Sequence, residues 1–394
     1  MRTTPESFRI LLLNGDLRGV ASFWRCWHLA RELGRLGHKI TLITVSPSHR
    51  IVPRVEMSDG VRLIESPNLL DLVHGVGAGY GVLGIPYRLV MAARERFDVV
   101  HAFEARPNVL LPAMVSRAFK GSPLVVDWAD WWGITGDGSG NQEGRVWPVP
   151  LLETAAEEYL HRAADMVTTI STGLKDRALS LGIPPNKVRW IPSGAPTDTI
   201  QRLEMSLCKQ SLDVSPSTFL IGYLGTSTGD LAMVVPAIRR LREDHRQVKL
   251  GVISPDISRS LAGGSEDAMM FFGGVPFARL PRYLGACDAF VLPLRDTVFN
   301  RTCWPNKFGD YLAAGRPILC AGIGDAAQFV EAEGCGIVWA DTSELVRGIE
   351  SLMADEDTAN AMGRAARRLA EGRLSWRNLA RDFLSVYRQI IGDT

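Results

Sequence analysis

Short, continuously apolar runs alternate with longer amphipathic segments along this chain, and past residue 200 the alternation starts afresh. Ile10–Leu13, Ile40–Val45, Val99–Ala102, Leu124–Val126, Met166–Ile170 and Val188–Ile191 are apolar at successive positions. That is the mark of parallel strands buried on both faces, not of strands with one wet face. Ser22–Leu36, Pro86–Arg96, Leu151–Ala163 and Gly173–Leu181 carry helical spacing between them, with Gly37 and Gly182 as stops.

The second series predicts strands at Phe219–Tyr223, Lys249–Ile253, Met269–Phe272, Ala289–Leu292, Ile318–Ala321 and Gly336–Trp339. Helices are expected at Met233–Asp244, Leu280–Ala286, Lys307–Ala314, Ser343–Ala354 and Ala359–Glu371. Two βα series imply an α/β protein of two Rossmann-like, doubly wound parallel-sheet domains, residues 1–200 and 206–375. Pro192–Glu204, rich in turn formers, is the expected linker. Residues 376–394 hold a last amphipathic helix that either closes the second domain or, as preferred here, crosses back to the first. Two such sheets face to face leave a central cleft at the carboxyl ends of their strands, so chemistry is expected in the loops that follow strands.

Composition narrows the partners. The chain has 394 residues and a net charge of +1, so no global basic field points to nucleic acid. Six scattered cysteines, none in a Cys-x-x-Cys pair, suit a reducing compartment and offer no zinc spacing; no metal site is expected. With no signal-peptide pattern and no long uncharged apolar stretch, the expectation is a cytoplasmic protein. Leu69–Ala93, apolar, glycine-rich and bordered by Arg88, Arg94 and Arg96, reads as a loop and helix packed on the first sheet. The alternative is a surface lying on the inner face of the membrane, which would be a peripheral contact.

The string Pro305–Pro317, PNKFGDYLAAGRP, resembles the donor-site signature of retaining GT-B glycosyltransferases of family 4. Collinear segments strengthen the likeness: Ala164–Gly194, Gly274–Leu294, FDVVH at Phe97–His101, and the glycine loop and strand within Asn14–Leu42. The resemblance implies a GT-B fold and transfer of a sugar from a nucleotide-sugar donor, such as a UDP- or GDP-sugar. The acceptor would be saccharide, lipid-linked or small, with the anomeric configuration retained and no metal or other cofactor. It assigns Asp310 to the donor ribose, Lys307 and Asn306 near Pro305 to the diphosphate, and Val275 to the base. Ser254, after the strand Lys249–Ile253, joins this donor group.

The chain also departs from that pattern. Thr302 stands where a second glutamate is usual, and Gly225-Thr226-Ser227-Thr228-Gly229-Asp230 lacks the usual Arg and Lys. Backbone N–H groups and hydroxyls of Gly225, Thr226, Ser227 and Thr228, together with Lys307 and the helix start behind it, are expected to meet the leaving charge. Arg295 and Arg301, flanking Leu294–Trp304, are candidates to fold over the diphosphate, and Arg301 is placed in the donor group.

On the first domain, Gly15 and Gly19 form a loop where backbone approaches acceptor and phosphate. Phe103 replaces the second histidine of the motif. His101 is kept as a catalytic candidate, with an inward-facing structural role as its alternative. Glu104 and Arg106 follow at a strand end, and Asp127-Trp128-Ala129-Asp130-Trp131-Trp132 sets acids beside indoles, which suits a sugar. Asp130, Glu104 and His101 are the catalytic candidates; Arg106, Asp127 and Trp128 are expected at the acceptor. Gly133–Gly144 is expected to order on binding. Rival readings are a sugar-nucleotide epimerase on the same fold and a catalytically silent binding subunit.

Overall fold

A computed structural model describes residues 7–48, 50–68, 83–131, 149–244, 247–258, 261 and 266–392. The chain divides into two compact units. One comprises Met1–Ser193, Thr297–Cys303 and Trp376–Thr394; the other comprises Gly194–Asp296 and Trp304–Ser375.

The first unit is built on eight strands: β1 Arg9–Leu17, β2 Lys39–Val45, β3 Arg54–Ser58, β4 Val61–Ser66, β5 Val99–Phe103, β6 Leu124–Trp128, β7 Met166–Thr169 and β8 Val188–Trp190. Their order is β3-β4-β2-β1-β5-β6-β7-β8. Every pair is parallel except the β3–β4 hairpin. That hairpin was not expected from the apolar runs. Its turn is Asp59–Gly60, both at positive φ (51° and 79°), the geometry that Asp-Gly favours in two-residue hairpins.

The second unit carries β9 Phe219–Leu224, β10 Val248–Ile253, β11 Met269–Gly273, β12 Ala289–Leu292, β13 Ile318–Ala321 and β14 Gly336–Trp339, in the order β11-β10-β9-β12-β13-β14. All pairs are parallel. In each sheet the strand order reverses beside the first strand: β1 lies between β2 and β5, and β9 between β10 and β12. Loops leaving two such neighbours diverge, and the space between them is where open α/β sheets receive ligands.

The helices Ser22–Arg35 and Trp376–Gly392 belong to the first unit and share one apolar core. Phe23, Cys26, Leu29 and Leu33 pack with Leu379, Phe383, Tyr387 and Ile390. Arg88, expected at the border of a membrane-facing stretch, is fully buried on the helix Gly84–Arg94 and donates to the carbonyls of Asn14 and Asn108. Residues 69–82 lie outside the described residues.

Several helices differ from expectation. The helix expected at Met233–Asp244 starts at Val235, with Pro236 in its first turn where no N–H is needed, and a separate short helix, Thr228–Ala232, precedes it where a loop was expected. Helices Pro107–Lys120, Met205–Ser211 and Gly324–Ala332 form where none was expected. Within Leu294–Trp304, read as a loop, Val298–Thr302 is helical. It belongs to the first unit, where Ser171 Oγ donates to the Thr302 carbonyl. No helix among the described residues is long and apolar enough to cross a membrane.

Candidate active site

In the second unit the loop after β9 is shaped for close approach. Gly225 sits at φ 148°, a conformation that L side chains rarely adopt. The Ser227 hydroxyl caps the following helix by accepting from the N–H of Asp230 at 3.2 Å, and its carbonyl accepts from the Tyr223 hydroxyl at 3.1 Å. Thr226 and Thr228 complete the loop.

Two cations reach this loop from other elements. The Lys307 ammonium stands 4.6 Å from the centre of the Tyr223 ring, and a Cβ placed on Gly225 would lie 2.5 Å from it. Arg295, in the loop after β12, pairs with Asp230 through Nε at 3.2 Å, while its backbone N–H reaches the same oxygen at 3.1 Å. Its guanidinium carbon would lie 2.9 Å from a Cβ on Gly229. Both glycines are therefore bare where a cation crosses them. Because β9 and β12 are neighbours, the loop after β12 brings the Arg295 guanidinium onto the loop after β9, where Asp230 pairs with it.

Lys307 and Asp310 lie on the helix Asn306–Ala314, with Pro305 at its cap position and Asn306 exposed. Tight packing fixes this helix. A Cβ on Gly309 would fall 2.6 Å from the Gly194 carbonyl oxygen, the Tyr311 ring stacks on Phe290 at 4.2 Å, and its hydroxyl accepts from the Leu224 N–H at 2.8 Å. Asp310 is half-buried, and loss of solvation pushes its carboxyl up to about 7. Val275 is half-buried in the loop after β11. Ser254 is buried; its oxygen accepts from the N–H groups of Asp256 and Ile257 at 3.2 Å each, so it shapes the turn after β10. Arg301 is exposed on the helix Val298–Thr302 of the first unit, and Arg295 lies against the loop after β9 in the second.

In the first unit, Asp16 at the end of β1 and Glu104, Arg106 and Asp130 in the loops after β5 and β6 come together. Arg106 Nη1 donates to Asp16 Oδ1 at 2.8 Å, and its Nε is 3.2 Å from Glu104 Oε2. The other Asp16 oxygen accepts from the Ser22 N–H at 3.1 Å and from its hydroxyl at 2.7 Å. Gly15 is bare because a Cβ would meet Val109, Arg106 and Asn108 at 3.3–3.4 Å. Gly19, at φ 88°, is exposed, and its carbonyl accepts from the Trp24 indole at 2.9 Å. Glu104 holds φ 71°, a strained value for a glutamate. Burial, with repulsion from Asp16 and Asp130, pushes its carboxyl up to about 8, against the pull of Arg106. Burial, then Asp16, pushes Asp130 up to about 7.

Three first-unit candidates turn out to be interior. His101 has no solvent exposure; its Nδ1 shares a hydrogen bond with the Tyr387 hydroxyl at 2.7 Å, and burial drives its pKa down to about 3. Phe103, tilted against it at 4.3 Å, and Phe383 enclose the ring. Asp127 is equally buried, gripped by Arg25 and by the Thr168 hydroxyl at 2.5 Å. Burial alone would raise its carboxyl, but Arg25 outweighs that and holds it low. The Trp128 ring stacks on His161 at 4.1 Å and its N–H donates to the Asp130 carbonyl at 3.0 Å, so it supports the loop and offers no open face to a sugar. Trp132 and Gly133–Gly144 lie outside the described residues.

Asp16 was not singled out from the sequence, and Arg295 was named there only as a candidate to fold over the diphosphate. Asp16 carried a signal, an acid in a glycine loop directly after a strand. Arg295 carried the same one as Arg301, and only the neighbouring of β9 and β12 separates them.

Residues 23–194 match the model for a glycosyl transferase 4-like domain, and residues 216–355 match that for glycosyl transferases group 1. With this domain pair and its two parallel-sheet units, the chain belongs to the GT4-like, group 1 glycosyltransferases of GT-B fold. It is similar to the GDP-mannose-dependent alpha-(1-6)-phosphatidylinositol monomannoside mannosyltransferase of Mycobacterium tuberculosis, at 28% identity over 55% of this chain and 60% of that protein. It is also similar to glycogen synthase of the same organism, at 24% identity over 91% and 89%. Among solved structures, sucrose-phosphate synthase from Thermosynechococcus elongatus shares the fold with a TM-score of 0.73, at 17% identity over 99% of this chain and all of that one.

Proposed function

We propose that this chain transfers a sugar from a nucleotide-sugar donor to a hydroxyl of a saccharide, lipid-linked or small-molecule acceptor, with retention at the anomeric carbon. The observation that carries the reading is the crossing of Gly225 and Gly229 by Lys307 and Arg295, beside a helix start with Asp310 one turn in. Two cations suit a diphosphate, because preorganised positive charge stabilises a leaving nucleotide without solvent rearrangement. A carboxylate suits the two ribose hydroxyls, since a charged acceptor strengthens both bonds. With this charge supplied by side chains, the transfer needs no metal. The Asp16–Glu104–Arg106–Asp130 group is the acceptor side, and the reaction is placed in the cytoplasm, with peripheral membrane contact left to the nature of the acceptor.

A panel of UDP- and GDP-sugars, screened by thermal shift, tests the donor side, because binding raises the melting temperature by mass action. At least one donor is expected to shift the protein, and Asp310→Ala is expected to remove that shift while leaving the unliganded protein folded. An unchanged shift in the variant would reject the assignment. Release of free nucleotide only when an acceptor is present distinguishes transfer from epimerisation and from silent binding.

A further inference from the structure

A cavity of about 520 Å³ lies in the second unit at the amino ends of its strands. Its lining fixes the place. Lys209 Nζ donates to the carbonyl of Thr218, just before β9, at 2.7 Å and pairs with Asp288, just before β12, at 2.8 Å; Arg316 stands just ahead of β13. The six residues of β9, at about 3.3 Å each, put the cavity roughly 20 Å from the Gly225 loop. Arg316 is 6% exposed; its Nη2 donates to the Leu203 and Gly285 carbonyls at 3.2 and 3.3 Å, and its Nε has no acceptor. Among the described residues no carboxylate pairs with it. Asp288 attracts it from further off, but both Asp288 oxygens are already engaged by Lys209. Arg202, exposed at the end of the linker, lines the same cavity, donates to Asn360 Oδ1 at 3.3 Å and has no carboxylate partner among the described residues either. The two acids of the lining, Glu204 and Glu356, are exposed, and Glu204 is turned to the Ser206 N–H at 3.3 Å.

We infer that Arg202 and Arg316 make this cavity a binding site for a phosphate group, either the free ion or one carried on a small hydroxylated molecule. A buried guanidinium with no counter-ion costs free energy, and a second one facing the same space adds repulsion. Burial first, and then Arg202, lowers the Arg316 pKa, the direction expected where a positive charge is under-compensated. A phosphate relieves both. It brings up to two negative charges to two guanidiniums, and its oxygens match their forked donors. A single carboxylate brings one charge and two oxygens. On a phosphate ester, Asn360 and the exposed carboxylates of Glu204 and Glu356 are acceptors for hydroxyls of the body. Bound there, the ligand would join Arg202, in the linker that enters the second unit, to Arg316, in front of the central strand β13.

The test is calorimetric titration of the full chain, at constant ionic strength and about pH 7.5, with inorganic phosphate and with glycerol 3-phosphate, acetate and glycerol serving as controls. A Kd on the order of 1 mM is expected for at least one of the two phosphates, with acetate and glycerol about tenfold weaker or more. The tighter of the two tells a free ion from an ester. Because the donor loop can also take an anion, the titration is repeated in Lys307→Ala, where binding should persist. Arg202→Gln, at an exposed position, should weaken binding about tenfold and leave the Tm of the unliganded protein unchanged. Arg316→Lys, which keeps the charge and loses the fork, should weaken it severalfold. Binding that is lost in Lys307→Ala and kept in Arg202→Gln would put the anion on the donor loop and overturn the inference. So would acetate binding as tightly as phosphate, unaltered affinity in Arg202→Gln, or no phosphate binding at about 20 mM.

Discussion

Arg25 and Asp127, 102 residues apart, form a two-pronged ion pair sealed inside the first unit, with Nε to Oδ2 at 2.8 Å and Nη2 to Oδ1 at 2.9 Å. Two further guanidinium donors go to the Ile191 and Pro192 carbonyls at 2.8 and 2.9 Å, so one side chain ties the helix Ser22–Arg35 to β6 and to the chain leaving β8. Removing either partner alone strands a buried charge. Arg25→Met and Asp127→Asn should each cost about 3–5 kcal/mol in urea denaturation. Arg25→Met combined with Asp127→Leu should recover part of that loss; a fully additive double variant would refute the coupling.

Glu104 and His101 should tilt the pH dependence of stability in opposite directions. The Glu104 carboxyl is raised in the fold to about 8, so its proton is held there more firmly than in the unfolded chain. Its contribution is complete below the ordinary glutamate pKa and is lost as pH climbs toward 8. Glu104→Gln should therefore stabilise the protein by about 2 kcal/mol at pH 8 and change little near pH 4. His101 is lowered to about 3, so it remains neutral in the fold while the unfolded chain takes up a proton. That penalty grows as pH falls from about 6.5 toward 3. His101→Gln should flatten the acid limb of the stability profile without shifting any activity profile near neutrality.

Donor affinity should rise with pH through about 7, where Asp310 ionises. Only the carboxylate accepts from both ribose hydroxyls, so a protonated Asp310 loses one bond and the charge that strengthens the other. Titration of a UDP- or GDP-sugar between pH 6 and 8 should show a gain of severalfold, absent in Asp310→Asn. A flat profile in the unaltered protein would remove Asp310 from the ribose.

Gly229→Ala separates binding from stability. The new methyl group would lie 2.9 Å from the Arg295 guanidinium carbon, and that flexible side chain can swing away. Gly229 is in the helix Thr228–Ala232, where alanine is the better helix former by about 0.8–1 kcal/mol. Thermal stability should hold or improve, while donor binding weakens about tenfold, matching Arg295→Ala. Wild-type donor affinity in both variants would exclude Arg295 from the diphosphate.

Much of this architecture could be read from residue order, for identifiable reasons. The central strands are continuous apolar runs, and burial on both faces leaves few alternatives; β12, β13 and β14 fall at the expected residues. The β3–β4 hairpin escaped because its edge strand is only partly covered, with Val55 and Met57 exposed, so no apolar run marks it. Asp59–Gly60 was the available signal. The helix Pro107–Lys120 escaped because Pro107 and Pro112 look like breaks, although Pro107 occupies a first-turn position that needs no N–H. Asp310 and Lys307 could be named from their motif. Asp127, Trp128 and His101 could not be sorted from open site residues, since their burial depends on Arg25, His161 and Tyr387, all distant in the chain. Arg295 likewise depended on a strand order that local pattern does not reveal.

The helix Trp376–Gly392 fills the core of a unit whose strands all lie before residue 191. During synthesis that first body would wait, its apolar trough uncovered and His101 lacking its tyrosine, until about residue 392 had left the ribosome. The second body, bounded by Gly194 and Ser375, would by then be complete. A protein whose earlier half finishes last has a long window in which a chaperone, or a misplaced neighbour, can occupy the seat meant for its own final helix.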